Sequence, residues 1–183
     1  KLKATKAPPN LPLRKAHRWH LFLAHIWVTG QDQCAAIKRP LCLLLPGVSI
    51  FLDVDDLQSI DALEEYVDAS AVIMIFASKG YFKSGNCLRE ARCTVAKQKQ
   101  IALVHDPVRG GASLAFIKAE ECPSELRESI FGEPGFERVV TYWHRIKDFH
   151  LISLKLLARQ LLLGCPKFQH KSSATLELYV PGE

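Results

Sequence analysis

The sequence predicts an α/β protein: a five-stranded parallel sheet with helices on both faces. Two observations carry this. Short apolar runs alternate with helical stripes five times along the 183 residues, the pattern of strands joined by right-handed crossovers. One run, residues 71–77 (Ala-Val-Ile-Met-Ile-Phe-Ala), is apolar at every position, as a strand covered on both faces must be.

Residues 1–15 hold Pro8, Pro9 and Pro12 and show no periodicity, so they read as a linker. Residues 19–24 (Trp-His-Leu-Phe-Leu-Ala) form the first strand, and 25–30 a loop. Residues 31–45 place Cys34, Ile37, Leu41, Leu44 and Leu45 at helical spacing; Pro40 predicts a kink or an early end. Residues 48–52 are the second strand. Residues 53–68 carry seven acids and no base, and Ile60, Leu63 and Val67 make their second half helical. After the third strand at 71–77, a helix over 84–99 faces Leu88, Ala91 and Val95 inward. Residues 101–104 and 138–142 are the fourth and fifth strands. Residues 105–113 form a long loop and 122–131 hold a short helix. The last helix, 146–163, buries Phe149, Ile152, Leu156, Leu157 and Leu161 and stops at Gly164 and Pro166. The domain is expected over 16–165 and a tail over 166–183, where 176–180 reads as an edge strand or as part of a next domain. For five strands of this kind the flavodoxin-like order 2-1-3-4-5 is the usual solution.

Composition narrows the function. Hydrophobic content of 48% and charged content of 23% are ordinary for a soluble globular chain. No apolar run reaches the roughly 20 residues of a membrane span, and no secretory signal is present. A cytoplasmic location is expected. Residue 1 is Lys, which suits a piece of a longer protein. Of the net charge of +5, six positive charges fall in residues 1–20, leaving about −1 on the rest. That distribution argues against nucleic-acid binding by the folded part. The six cysteines form no Cys-x-x-Cys pair, so free thiols are expected and no metal site.

The familiar nucleotide motifs are missing. There is no Gly-x-Gly-x-x-Gly after a strand, no P-loop and no nucleophile elbow. A phosphoacceptor site would need an Asp at the end of the third strand, which ends Ala77-Ser78 instead. The Gly110-Gly111 pair is a flexible turn or a close approach to phosphate. What remains is the stretch 71–95, a strand, a turn with Gly80 and Gly85, and a helix start bearing Glu90. Open α/β folds bind ligands at such a place, the C-terminal edge of the sheet.

This stretch resembles a Toll/interleukin receptor homology (TIR) domain. Ser78, Tyr81, Ser84, Cys87 and Glu90 stand at the spacings of the family's Ser-x-x-Tyr-x-x-Ser-x-x-Cys-x-x-Glu segment. Leu21-Phe22-Leu23-Ala24-His25, Gly30-Gln31-Asp32 and the run from Val48 through Asp55-Asp56-Leu57 match in support, and the match covers residues 18–163. Asn86 stands where the family often has Trp, the loop after the first strand is long, and Pro40 is unusual in the first helix. The resemblance implies cleavage of NAD, as substrate and not cofactor, at the nicotinamide–ribose bond, with Glu90 the catalytic carboxylate. Breaking an N-glycosidic bond develops positive charge on the ribose, which a fixed carboxylate stabilises. Nicotinamide leaves from an already cationic state, so one acid suffices and no metal is required. His25, Trp27, Asp53, Tyr81 and Ser84 are the candidate substrate contacts; Ser84 also reads as a helix N-cap.

The alternative is an inactive adaptor that signals by assembly with other TIR domains, including copies of itself. Acidic residues 53–68 and basic residues 83–99 read as complementary surfaces on opposite sides of the sheet. Asp55, Asp56, Asp61, Arg89 and Arg92 are the candidate self-association residues.

Overall fold

The computed structural model describes residues 1–52, 62–144, 146–171 and 176–182. Strand β3, Ser70–Phe76, lies at its centre. It pairs in parallel with β1, Trp19–Ala24, and with β4, Gln100–His105. Strand β2, Ile50–Phe51, lies outside β1, and β5, Val140–Tyr142, lies outside β4. The order β2-β1-β3-β4-β5, with every pair parallel, is the flavodoxin-like arrangement expected.

Alternation sorts the side chains into two cores. In β3, Val72, Met74 and Phe76 point to one side, and Ile73, Ile75 and Ala77 (just past the strand) to the other. Strand β1 does the same with Leu21 and Leu23 against Phe22 and Ala24. The first core is closed by α1, Trp27–Leu44, and α5, Lys147–Gly164. The second is closed by α2, Leu63–Asp68, α3, Gly85–Ala96, and α4, Ser124–Phe131. Each fully buried Leu, Ile or Phe contributes about 1.5–3 kcal/mol of transfer free energy.

Several elements differ from the sequence expectation. Helix α1 begins at Trp27, so residues 27–30 are helix and not loop. Its N-cap Ile26 offers no side-chain bond; the helix starts on the Gly30 amide donating to Ile26 O at 2.8 Å. Pro40 neither ends nor divides it, although a proline withholds one helical N–H. Strands β2 and β5 are shorter than expected. Between β4 and α4 a single helical turn, Leu114–Phe116, runs into a π-type turn, Ile117–Glu121. An antiparallel hairpin follows α4, pairing Gly132–Glu133 with Phe136–Glu137.

The N-terminal segment packs on the domain. The buried His20 ring donates from Nε2 to Leu11 O at 3.0 Å and accepts from the Ser49 amide at 2.9 Å. Leu2 bridges Leu178, while Leu11, Leu13, Leu176 and Leu178 join the first core. All six cysteines are free thiols. Cys34, Cys87, Cys122 and Cys165 are buried, Cys93 is half-buried and Cys42 is exposed. Burial pushes the Cys122 and Cys165 thiols up to about 11, which holds them inert. No described helix is long and apolar enough to cross a membrane.

Gly164 sets how closely α5 meets the sheet. A Cβ there would lie 2.2 Å from Val72 Cγ2, inside the core. Gly164→Ala is therefore expected to destabilise by about 1–3 kcal/mol. Gly85, with nothing within 4 Å of its added Cβ, is the control: Gly85→Ala should be neutral or stabilising by up to about 1 kcal/mol. Urea unfolding of both variants checks the contrast.

Candidate functional site

The C-terminal ends of β1 and β3 form the crevice at which the strand order reverses. Three contacts build it. The Cys87 thiol donates to His25 O at 3.3 Å, joining α3 to the turn after β1. The Thr29 and Ser78 hydroxyls meet at 2.8 Å, joining α1 to the turn after β3. A Cβ on Gly30 would lie 3.0 Å from His25 Cβ and 3.3 Å from Phe76, so only glycine lets α1 sit this close.

The turn between β3 and α3 is held from the far side. Gly80 adopts φ +86°, a conformation natural to glycine. Its amide donates to Glu121 Oε2 at 2.8 Å, and Glu121 is itself buried. Residues Tyr81–Lys83 then make one tight turn, and Ser84 caps α3, accepting from the Cys87 amide at 3.5 Å.

Helix α3 turns Cys87, Glu90, Ala91 and Thr94 inward. Glu90 is thus the one carboxylate on that inward stripe, 5% exposed, and its backbone carbonyl accepts from the Thr94 hydroxyl at 2.7 Å. Tyr81 lies near enough that the Glu90 charge acts on it. Burial first, and that carboxylate second, hold the Tyr81 phenol well above its ordinary range. A neutral phenol therefore lies in the core beside the Glu90 carboxylate.

The expected site residues fall in different places. His25 is buried at 3% exposure and donates from Nδ1 to Leu23 O at 3.0 Å. Tyr81 is a correction: at 0% exposure and edge-on to Phe82, it is a core side chain with no surface to offer a substrate. Trp27 opens α1 and is 58% exposed. Ser84 stands at the start of α3, so its hydroxyl is already engaged as the cap. Asp53, Asp55, Asp56 and Asp61 lie outside the described residues. Thr29 and Glu121 do not stand out in the sequence, and Gly30 does so only within the Gly30-Gln31-Asp32 match, not as a packing position. Thr29 carries no pattern apart from its neighbours, and Glu121 is distant in the chain.

The charged surfaces require a second correction. The acidic helix α2 and the basic helix α3 are neighbours on one face of the sheet, not separated by it. Arg89 grips Glu64 with two bonds, 2.9 and 2.8 Å. Lys97 and Lys99 both reach Asp68, and Arg92 reaches Glu125 at 3.2 Å. The Arg89 bond holds the Glu64 carboxyl below its ordinary value. Both partners of that pair are about two-fifths exposed, so its net worth is about 0.2–1 kcal/mol. The sequence lacked the register that brings these helices together. No group of three or more potential metal ligands occurs among the described residues.

The fold is similar to that of a metazoan TIR-STING receptor from C. gigas, at a TM-score of 0.50 and 14% identity. The alignment covers 81% of this chain and 43% of that one, so the chain spans less than half of the receptor's length. No family model and no curated protein matches the sequence.

The Glu121 bond gives the site a testable support. Glu121→Ala leaves the Gly80 amide without its acceptor, an expected loss of about 1–3 kcal/mol. Hydrogen exchange at Gly80 should accelerate, while exchange in the β3 core stays slow. Unchanged Gly80 exchange would show that Glu121 does not hold the turn.

Proposed function

We propose that this chain is a TIR domain that cleaves NAD at the nicotinamide–ribose bond, with Glu90 as the catalytic carboxylate. The observation that carries the reading is Glu90 itself. It is a carboxylate buried to 5% exposure, on the helix that opens from the end of the central strand. The Ser78, Tyr81, Ser84, Cys87 and Glu90 spacing and the shared fold support the same reading.

The chemistry follows from placement. The glycosidic C–N bond breaks and its electron pair leaves with nicotinamide, neutralising the pyridinium. Positive charge then spreads over the ribose ring, where Glu90 stabilises it and anchors the hydroxyls. Water adds to the sugar carbon and releases a proton, giving ADP-ribose. Attack by an adenine nitrogen instead gives a cyclic product. Withdrawal of Glu90 from water strengthens its effect on the developing charge. The first amides of α3 suit a phosphate oxygen, and the exposed Trp27 suits an aromatic base.

Self-association is the second part of the reading. Large apolar side chains remain exposed at Tyr142, Ile146, Phe149 and Ile152, along β5 and the start of α5. Such surface marks contacts between chains. Copies meeting there would raise turnover by completing the site.

The test is nicotinamide release from NAD at several protein concentrations. Glu90→Gln is expected to lower turnover about 100-fold or more, and the native rate per molecule is expected to rise with concentration. Equal rates in the folded variant would remove Glu90 from the chemistry. A folded protein with no turnover that still oligomerises would be an assembly module instead.

A further inference from the structure

The opposite edge of the sheet carries a cleft of ≈ 330 Å³, enclosed by the segment before β1, the turn from α3 to β4 and the end of α5. Its lining includes Arg14, His17, Lys97, Lys99, Gln100 and Gln169. We propose that this cleft binds a small phosphate-bearing anion, with Arg14 and Lys97 as its principal ligands.

Charge is the first argument. The segments that meet here, 14–18, 97–100 and 164–171, contain Arg14, Lys15, Arg18, Lys97, Lys99, Lys167 and Lys171 and no acid. Asp68 offsets part of this charge, meeting Lys97 at 3.4 Å and Lys99 at 3.3 Å. One acid against so many bases leaves a positive potential, and a cleft concentrates it. His17 registers that field. Its imidazole is held below the ordinary histidine value by burial, and then by the Lys99 and Arg14 charges.

Geometry is the second argument. Lys99 is 11% exposed and its ammonium is fixed by Asp68 and by Ser70 O, making it a rigid charge in the wall. Lys97 is 52% exposed and, among the described residues, is held by Asp68 alone, so it can turn toward a ligand. Arg14 gives one nitrogen to Gln169 Oε1 at 2.6 Å, which steadies the guanidinium and leaves its other donors for a phosphate fork. Gln98, in the turn between them, holds φ +50°, a conformation non-glycine residues seldom adopt. The sharp bend lets Lys97 and Lys99 border one cleft. His17 Nδ1 is shut off from solvent with no hydrogen-bond partner among the described residues. His17 lines the cleft beside Arg14 and Lys99, so its imidazole feels any charge bound there.

The arrangement favours a small anion over a polymer. The bases converge on one concavity, whereas a duplex or single strand asks for a stripe of cations with stacking aromatics. The site lies at the other end of the strands from Glu90 and does not depend on the NAD reading.

Calorimetric titration of the whole chain with inorganic pyrophosphate, at fixed ionic strength, tests it. Saturable binding is expected, weakened at least tenfold in Arg14→Gln/Lys97→Gln, two surface changes that leave the cores intact. NMR titration of His17 is expected to show its pKa rising when pyrophosphate is present, because a bound anion favours the imidazolium. No saturable heat, equal binding by the variant, or an unmoved His17 would overturn the proposal. So would tighter binding of a single-stranded oligonucleotide than of pyrophosphate, which would place a polymer on this edge.

Discussion

Strand β3 has no face and no edge in contact with water. Ser70, Val72 through Phe76 and the following Ala77 are all essentially inaccessible. A strand of that kind is stable only if helices cover both faces and partners fill both hydrogen-bonding edges. The rest of the chain meets these demands. Strands β1 and β4 take the edges, α1 and α5 one face, and α2, α3 and α4 the other. Because β1 and β3 are neighbours in space but connect in opposite directions across the sheet, their ends open the crevice. The same burial that makes β3 the core places Ser78 and α3 at its lip.

The crevice is held by interlocks from several elements, not by one loop. Cys87 to His25, Thr29 to Ser78 and Gly80 to Glu121 each tie α3 or its approach to a different neighbour. Individually such bonds contribute about 0.5–1.5 kcal/mol, more when an acceptor is charged. Together they fix the direction in which α3 leaves the sheet, and so the depth at which Glu90 sits. A carboxylate held this deep among Cys87, Ala91 and Thr94 is an expensive choice for a helix face that could have been apolar.

How much of this was legible in the sequence depended on whether the signal was local. The unbroken apolar run of β3, the Leu157 and Leu161 end of the α5 stripe and the Ser84 cap all announce themselves within a few residues. Phe149 and Ile152, expected on that stripe, are instead 51% exposed, because apolar spacing does not say where the covering surface stops. The start of α1 did not announce itself, because Ile26 brings no capping side chain. The helix is held by tertiary contacts at Thr29 and Gly30. The turn at Ile117–Glu121 is π-type, which breaks the 3.6-residue rhythm that reveals a helix. The pairing of α2 with α3 was misread for another reason. Charge sequence states which signs are present, not which faces meet, and Arg89 meets Glu64 because the chain, after passing through β3, returns to the face of the sheet that α2 covers. Glu90 was visible as a motif position, but its burial was not.

The two edges of the sheet also differ in electrical character, and helix dipoles account for part of the difference. In a parallel α/β fold the helices begin at the C-terminal edge and end at the other. Acids therefore gain at the first edge and bases at the second, by about 0.3–1 kcal/mol per charge. Lys97 and Lys99, just beyond α3, and Lys167, just beyond α5, fit that rule. Arg14 does not. It belongs to no helix and comes to this edge because His20 bonds Leu11 and because Leu11 and Leu13 sink into the first core. Its guanidinium is then steadied by Gln169 from the far end of the chain. The basic leader is thus folded onto the domain by apolar anchors and one buried histidine. Charge that looked like the property of a loose segment becomes a property of the sheet's edge.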